Sequence, residues 1–199
     1  VATGLKVSNP DRKVIVFTGD GDNVGIGGNH FIHAARRNID ITVVMINNQI
    51  YGMTGGQTAP TTPFKARTQT SPYGNCERSF DACQLAMAAG ATFVARWTSA
   101  HPAQLTKAIK TAISHRGFAF VEVLTQCPTQ AGRYMMNTND PRKLVDLLRE
   151  KTVPVEKYQV LKPEEKEGKV PVGVLNHEVG VLELSDAVYQ LSREVTKSV

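Results

Sequence analysis

Apolar residues fall in short runs separated by polar and glycine-rich stretches, and the runs set the expected elements. Lys13–Thr18 (KVIVFT) is rich in β-branched residues and predicts a buried strand. A glycine-rich stretch, Gly25–Gly28, follows. Asn29–Arg37 then has helical character and ends in two arginines, which suit the negative end of a helix dipole. Ile39–Ile46 (IDITVVMI) is a second continuous apolar strand. Strand, glycine loop, helix and strand make a βαβ unit, which requires parallel pairing. Further on, the pattern predicts a helix over Ser79–Ala89 stopped by Gly90, a strand at Thr92–Arg96, and a helix over His101–His115 with Pro102 in its first turn and Ser99 as cap. A last strand is expected at Phe118–Leu124. Strands alternating with helices imply an α/β fold: an open, mostly parallel sheet with helices on both faces.

Two stretches depart from this rhythm. Residues 51–78 are rich in Gly, Thr and Pro with little periodicity, and a loop of that length inside a compact domain tends to be functional. From Asp140 the composition turns highly charged. A short helix at Pro141–Glu150 and a terminal helix at 183–196 are expected within an extension of residues 140–199 that wraps the preceding domain or a partner. Residues 1–139 form the main domain. The chain opens at Val1 without a methionine, in a stretch that reads as a linker or helix end. The expectation is that an N-terminal segment precedes it, with processing after a start codon as the alternative.

The net charge of +5 is uneven: residues 1–139 hold 13 Lys/Arg against 7 Asp/Glu, and the remainder 10 against 11. The basic residues are scattered and do not alternate with aromatics, so no nucleic-acid groove is expected. An anionic ligand or acidic protein partner is the better use of the excess. No apolar window approaches the ~18 residues of a membrane span, and no signal peptide is apparent. The cysteines, Cys76, Cys83 and Cys127, are odd in number, which argues against a disulfide framework and for a reducing cytoplasm.

Open α/β sheets bind ligands beyond the carboxyl ends of their strands. After the first strand comes Gly19-Asp20-Gly21-Asp22-Asn23, and after the second Asn47-Asn48-Gln49-Ile50-Tyr51. Asp20 and Asn48 thus share one rim of the sheet. A carboxylate and an amide carbonyl are hard oxygen donors, and with a main-chain carbonyl and phosphate oxygens they suit octahedral Mg²⁺. The glycines beside Asp20 let backbone approach a ligand closely. Taken alone, Asp20 reads equally well as a turn or helix-cap aspartate; paired with the NN motif at a second strand end, it is far more specific.

The pattern resembles the thiamine diphosphate signature. With GIGGNHFIHAARRN at Gly25–Asn38 and NNQIYGMTGGQTAPTTP at Asn47–Pro63, residues 1–139 resemble the β subunit of the 2-oxoacid:ferredoxin oxidoreductases, with wording closest to the 2-oxoglutarate-using branch. The resemblance implies a thiamine diphosphate-binding fold in which Asp20 and Asn48 ligate Mg²⁺ by side chain and Ile50 by its carbonyl. Gly19, Gly21, Asp22, Thr54 and Gly55 would lie against the diphosphate, and Asn29 and His30 near the thiamine. His30 reads equally as a helix-face histidine, Met53 as a thiazolium contact or a core plug, and Tyr51 as either; His33 reads as structural. Cys127, in Gln126-Cys127-Pro128, resembles the fourth ligand of a 4Fe–4S cluster whose other three ligands lie, in the family, before the thiamine motif. A free buried cysteine and a catalytic thiol are the alternatives. Cys76 and Cys83 read as structural.

The implied activity is coenzyme A-dependent oxidative decarboxylation of a 2-oxoacid, with electrons passed to ferredoxin. The resemblance also implies that the glutamate activating the cofactor comes from an α subunit, an obligate partner; the sequence agrees in that neither Glu77 nor Glu122 falls in a matching motif. The rival readings are a subunit of a non-oxidative thiamine-dependent decarboxylase and a non-catalytic subunit retaining the fold.

Overall fold

The computed structural model describes residues 1–197. A helix, α1 (Ala2–Ser8), leads into strand β1 (Ile15–Gly19), a π-helical turn (Gly21–Ile26), helix α2 (Gly28–Arg36) and strand β2 (Thr42–Asn47). Two short strands, β3 (Ile50–Tyr51) and β4 (Gln57–Thr58), pair antiparallel within the long loop. Then come α3 (Ala82–Ala88), β5 (Phe93–Thr98), α4 (Pro102–Ser114), β6 (Ala119–Leu124), α5 (Ala131–Met135), α6 (Pro141–Lys151), β7 (Thr152–Pro154), α7 (Val155–Val160), α8 (Pro163–Lys166), β8 (Val170–His177) and α9 (Leu184–Lys197).

The main sheet runs β1-β2-β6-β5-β8-β7. Pairing is parallel throughout except between β5 and β8, which are antiparallel. Side chains alternate across it. Val43, Met45, Val94 and Phe120 face α2 and α3, where Phe31 packs 4.9 Å from the Phe120 ring. Val44, Ala95, Val121 and Val123 face α4 through Ala108 and Ala112. Helices therefore cover both faces, as the alternating pattern predicts.

Several expectations need correction. β1 is not buried: it lies at the sheet edge, and Ile15 and Phe17 are 39% and 69% exposed because no described element covers that face. An apolar run reports β propensity, and burial on both faces depends on neighbours that the run does not encode. Ser99 does not cap α4. His101 holds the N-cap position without a side-chain bond, and the Ser99 hydroxyl donates instead to Gln126 Oε1 at 2.7 Å. The helix expected from Ser79 starts at Ala82, where the Asp81 carboxylate accepts from the Gln84 N–H. Gly90 ends it with φ +94°, as expected. The glycine loop is a π turn closed by Gly27 N–H to Asp22 C=O, 2.8 Å. β8 was not anticipated. The last two residues of the 140–199 extension lie outside the described residues.

The strands' amino ends are closed by buried charge. Lys6, 1% exposed, donates to the carbonyls of Pro10 (2.7 Å) and Arg12 (2.8 Å) and pairs with Asp40 at 2.5 Å. Glu183, also 1% exposed, accepts from the main-chain N–H of Asp40 and Asp186 and from Arg116. Removing one member of a buried pair strands the other. Lys6→Met should therefore lose about 3–5 kcal/mol of unfolding free energy in urea titration, and Lys6→Met/Asp40→Asn should recover most of it. Equal stability of the single variant and the parent would show that the pair carries no weight.

Candidate functional site

Register alone brings the two motifs together. Gly19 pairs with Ile46, so Asp20 and Asn47-Asn48 leave adjacent parallel strands side by side. Asp20 and Asn48 border a cleft of about 330 Å³ lined also by Gly19, Asp22, Ile50 and Thr54, among others. Asp20 is 3% exposed. Its Oδ2 accepts from the Thr61 hydroxyl, which the long loop folds back to reach. Burial raises the Asp20 carboxyl above its ordinary range, opposed by that hydroxyl and by main-chain N–H groups including those of Asn48 and Gly21. A buried carboxylate destabilised by desolvation, in a cleft that an asparagine amide also lines, is a donor set that a divalent cation would satisfy. Asn48 Oδ1 accepts from the Ile50 N–H at 3.1 Å, which holds the turn tightly and still leaves that oxygen a lone pair.

The need for glycine beside Asp20 has an internal cause. A Cβ at Gly21 would stand 2.2 Å from the Tyr51 ring. The Tyr51 hydroxyl donates to Gly21 C=O at 3.3 Å, so Tyr51 braces the π turn. Met53 is fully exposed at the cleft, which removes its reading as a core plug. Thr54 also lines the cleft, with its hydroxyl donating to Gln57 Oε1 at 2.6 Å. Gly55 is not among the lining residues; at φ +121° it packs toward Gln69.

Asn29 and His30 are exposed on α2 and line a separate hollow of about 550 Å³ along the free edge of β1, together with His33 and Arg37. Asp22 borders both spaces. Cys127 follows β6 at the same rim. A Cβ at Gly52 would meet Cys127 Sγ at 3.4 Å and Asn48 Nδ2 at 3.6 Å, so the thiol and the asparagine pack on one glycine. Burial raises the Cys127 thiol. The Ala131 N–H, the Thr129 hydroxyl and the N–H groups of Gln130 and Thr129 outweigh it, so the thiol lies below its ordinary range. Such a setting favours thiolate and hence metal ligation. Cys83 is buried, its S–H donating to Glu122 at 3.3 Å, and Cys76 is exposed.

Residues 1–123 match the family described as thiamine pyrophosphate enzyme, C-terminal TPP binding domain. The chain belongs to the thiamine pyrophosphate enzymes. Within them it groups with the β subunits of the 2-oxoacid:ferredoxin oxidoreductases, as the motifs implied. It is 54% identical over 172 residues to a 2-oxoglutarate synthase subunit KorB of Methanocaldococcus jannaschii, covering 86% of this chain and 63% of that one. It is 63% identical over 128 residues to the subunit of that name in Archaeoglobus fulgidus, 64% of this chain and 48% of that one. A solved 2-oxoglutarate:ferredoxin oxidoreductase from Magnetococcus marinus, with 2-oxoglutarate, coenzyme A and succinyl-CoA bound, superposes with a TM-score of 0.85 at 32% identity. The match covers 98% of this chain and 66% of that one. The chain thus spans about three fifths of the Methanocaldococcus relative and less than half of the Archaeoglobus one.

Three residues at or beneath this site are not marked by its motifs: Thr61, Glu122 and Arg96. Thr61 lies 41 positions from Asp20 in an aperiodic loop, where no pattern marks it. Glu122 and Arg96 did leave a signal: each is the single charge within an apolar strand run, and the two are opposite in sign. The Tyr51 brace makes a direct prediction. Gly21→Ala should cost about 1–3 kcal/mol by overpacking, and Gly21→Ala/Tyr51→Val should recover most of the loss in thermal unfolding. An unimpaired single variant would disprove the contact.

Proposed function

We propose that this chain is the part of a 2-oxoacid:ferredoxin oxidoreductase β subunit that holds magnesium thiamine diphosphate, in an enzyme carrying out coenzyme A-dependent oxidative decarboxylation of 2-oxoglutarate in the cytoplasm. The observation that carries this is the juxtaposition of buried Asp20 with Asn48 at adjoining strand ends around one cleft. In this reading Asp20, Asn48 and the Ile50 carbonyl hold the ion. Thr61 orients the Asp20 carboxylate through one oxygen and leaves the other to the metal. Gly19, Gly21, Asp22, Thr54 and Gly55 lie toward the diphosphate, and Asn29 and His30 toward the thiamine. When bound, the cofactor supplies the electron sink for decarboxylation.

Cys127 is the proposed fourth thiolate of a 4Fe–4S cluster, which needs three ligands from elsewhere. Its lowered thiol and its shared contact with Asn48 at Gly52 support that role, since the two cofactors would then be neighbours. Residues 1–139 are the cofactor-binding unit, and residues 140–199 an extension that wraps it. Pairing of β8 with β5 and the ties from Glu183 to Asp40 and Arg116 show how closely the extension holds to that unit. An α subunit and ferredoxin are the proposed partners. Phe17, Ile26 and Met53, exposed at 69%, 89% and 100%, are large apolar side chains of the kind a partner subunit covers, and Met53 lines the cleft. The relatives' names as synthases and ferredoxin oxidoreductases favour the oxidative reading over a simple decarboxylase.

In the assembled enzyme, Asp20→Ala should abolish Mg²⁺-dependent retention of thiamine diphosphate through gel filtration while assembly persists. Retention equal to the parent's would overturn the ion site. Cys127→Ser should remove or reshape the iron-centred paramagnetic signal of the reduced enzyme and leave cofactor retention largely intact; an unchanged signal would strike Cys127 from the ligands.

A further inference from the structure

A charged cluster lies beneath the rim on the α3 side of the sheet. Strand alternation points Asn47, Glu122 and Arg96 to the face that Met45, Phe120 and Val94 share, under Cys83 of α3. Glu122, 2% exposed, accepts from Asn47 Nδ2 through Oε1 at 2.7 Å and from Arg96 Nε through Oε2 at 2.5 Å. Arg96 also reaches Asp81, the N-cap of α3, at 2.5 Å. The Asp81, Cys83 and Glu122 ligand atoms lie within 4.8 Å of one another, but the Arg96 guanidinium already bonds both carboxylates, so this is not a cation site.

The cluster acts on Asn47. A carboxylate only accepts and a main-chain N–H only donates, so the Asn47 amide has one orientation: Nδ2 toward Glu122, and Oδ1 accepting from the Gln49 N–H at 3.0 Å. Gln49 sits at φ +65°, in the left-handed region that a glutamine occupies only under constraint. The Thr62 hydroxyl holds its carbonyl from the other side at 2.6 Å. Asn48 lies between Asn47 and this doubly held Gln49, and Ile50 follows it.

We infer that Glu122 and Asn47 are positioning residues for the magnesium site: the carboxylate fixes the Asn47 amide, and the amide fixes the turn that presents Asn48 and the Ile50 carbonyl. The inference rests on the reading of Asp20 and Asn48 as ion ligands.

Its test is a polarity exchange in the assembled, full-length enzyme stripped of metal and cofactor. Mg²⁺ is titrated at fixed thiamine diphosphate, and bound cofactor is measured by equilibrium dialysis. Asn47→Asp sets two carboxylates face to face, and Glu122→Gln turns one oxygen of the pair into a donor or strands Arg96. Each should raise the Mg²⁺ midpoint about 10–100-fold, the usual loss when a metal ligand's support is removed. The double variant Asn47→Asp/Glu122→Gln rebuilds the bond with its direction reversed. The new amide donates to the new carboxylate, while its oxygen still accepts from Arg96 and Cys83. Its midpoint should return to within about threefold of the parent, a coupling that only interacting residues give. If a single variant fails to fold, Asn47→Ala, which keeps the Glu122–Arg96 pair, carries the test. A parental midpoint in a folded Asn47 variant, or a double variant no better than the singles, overturns the inference. Asp20→Ala separates the two failures: a parental midpoint there removes the ion site itself, whereas a defect in Asp20→Ala beside a normal Asn47→Ala removes the positioning role alone.

Discussion

Parallel pairing of β1, β2 and β6 is the constraint on which the rest depends. Parallel strands put all their carboxyl ends on one side, and the register Gly19–Ile46 and Asn47–Leu124 makes those ends level. The segments leaving them, Asp20, Asn48 and Cys127, then meet without any long-range search by loops. The sheet is stiff because its central strands are covered on both faces by separate apolar clusters. The rim can therefore hold a buried carboxylate against the cost of desolvation, which loose loops alone would not do.

Much of this was legible because the informative features are local. Runs such as IDITVVMI and FAFVEVL announce strands, and a polar motif directly after each announces a rim residue. The illegible parts depend on neighbours. The run KVIVFT looks like an interior strand, yet β1 is an edge, because being an edge is a property of the whole sheet. β8 carries Pro171 and Gly173, which weaken strand character, and it pairs antiparallel with β5 through an irregular register near Val94 and Ala95. Asn29 and His30 follow from the family resemblance and not from strand-end logic, and they line a different hollow from Asp20.

Charge within the sheet shows the same division. Arg96 and Glu122 face each other across β5 and β6 in register, a pairing plain once the strands are aligned and obscure before. Burial raises the Cys83 thiol well above its ordinary range, with the Glu122 charge adding to the effect, so the sulfur serves as a hydrogen-bond donor and not as a nucleophile. Buried Cys83 and half-buried Cys127 thus have opposite tendencies: Cys83 is held protonated and Cys127 is eased toward thiolate.

The clasp formed by Glu183 has a consequence for biosynthesis. Its bond to the Asp40 N–H spans 143 positions, and its contact with Arg116 spans 67. On a ribosome the sheet's four parallel strands emerge long before this acid does, leaving Arg116 and the floor beneath Asp40 unsealed. Contacts of such separation form late and slowly. The nascent domain therefore reaches its final closure only after Glu183 itself has left the exit tunnel.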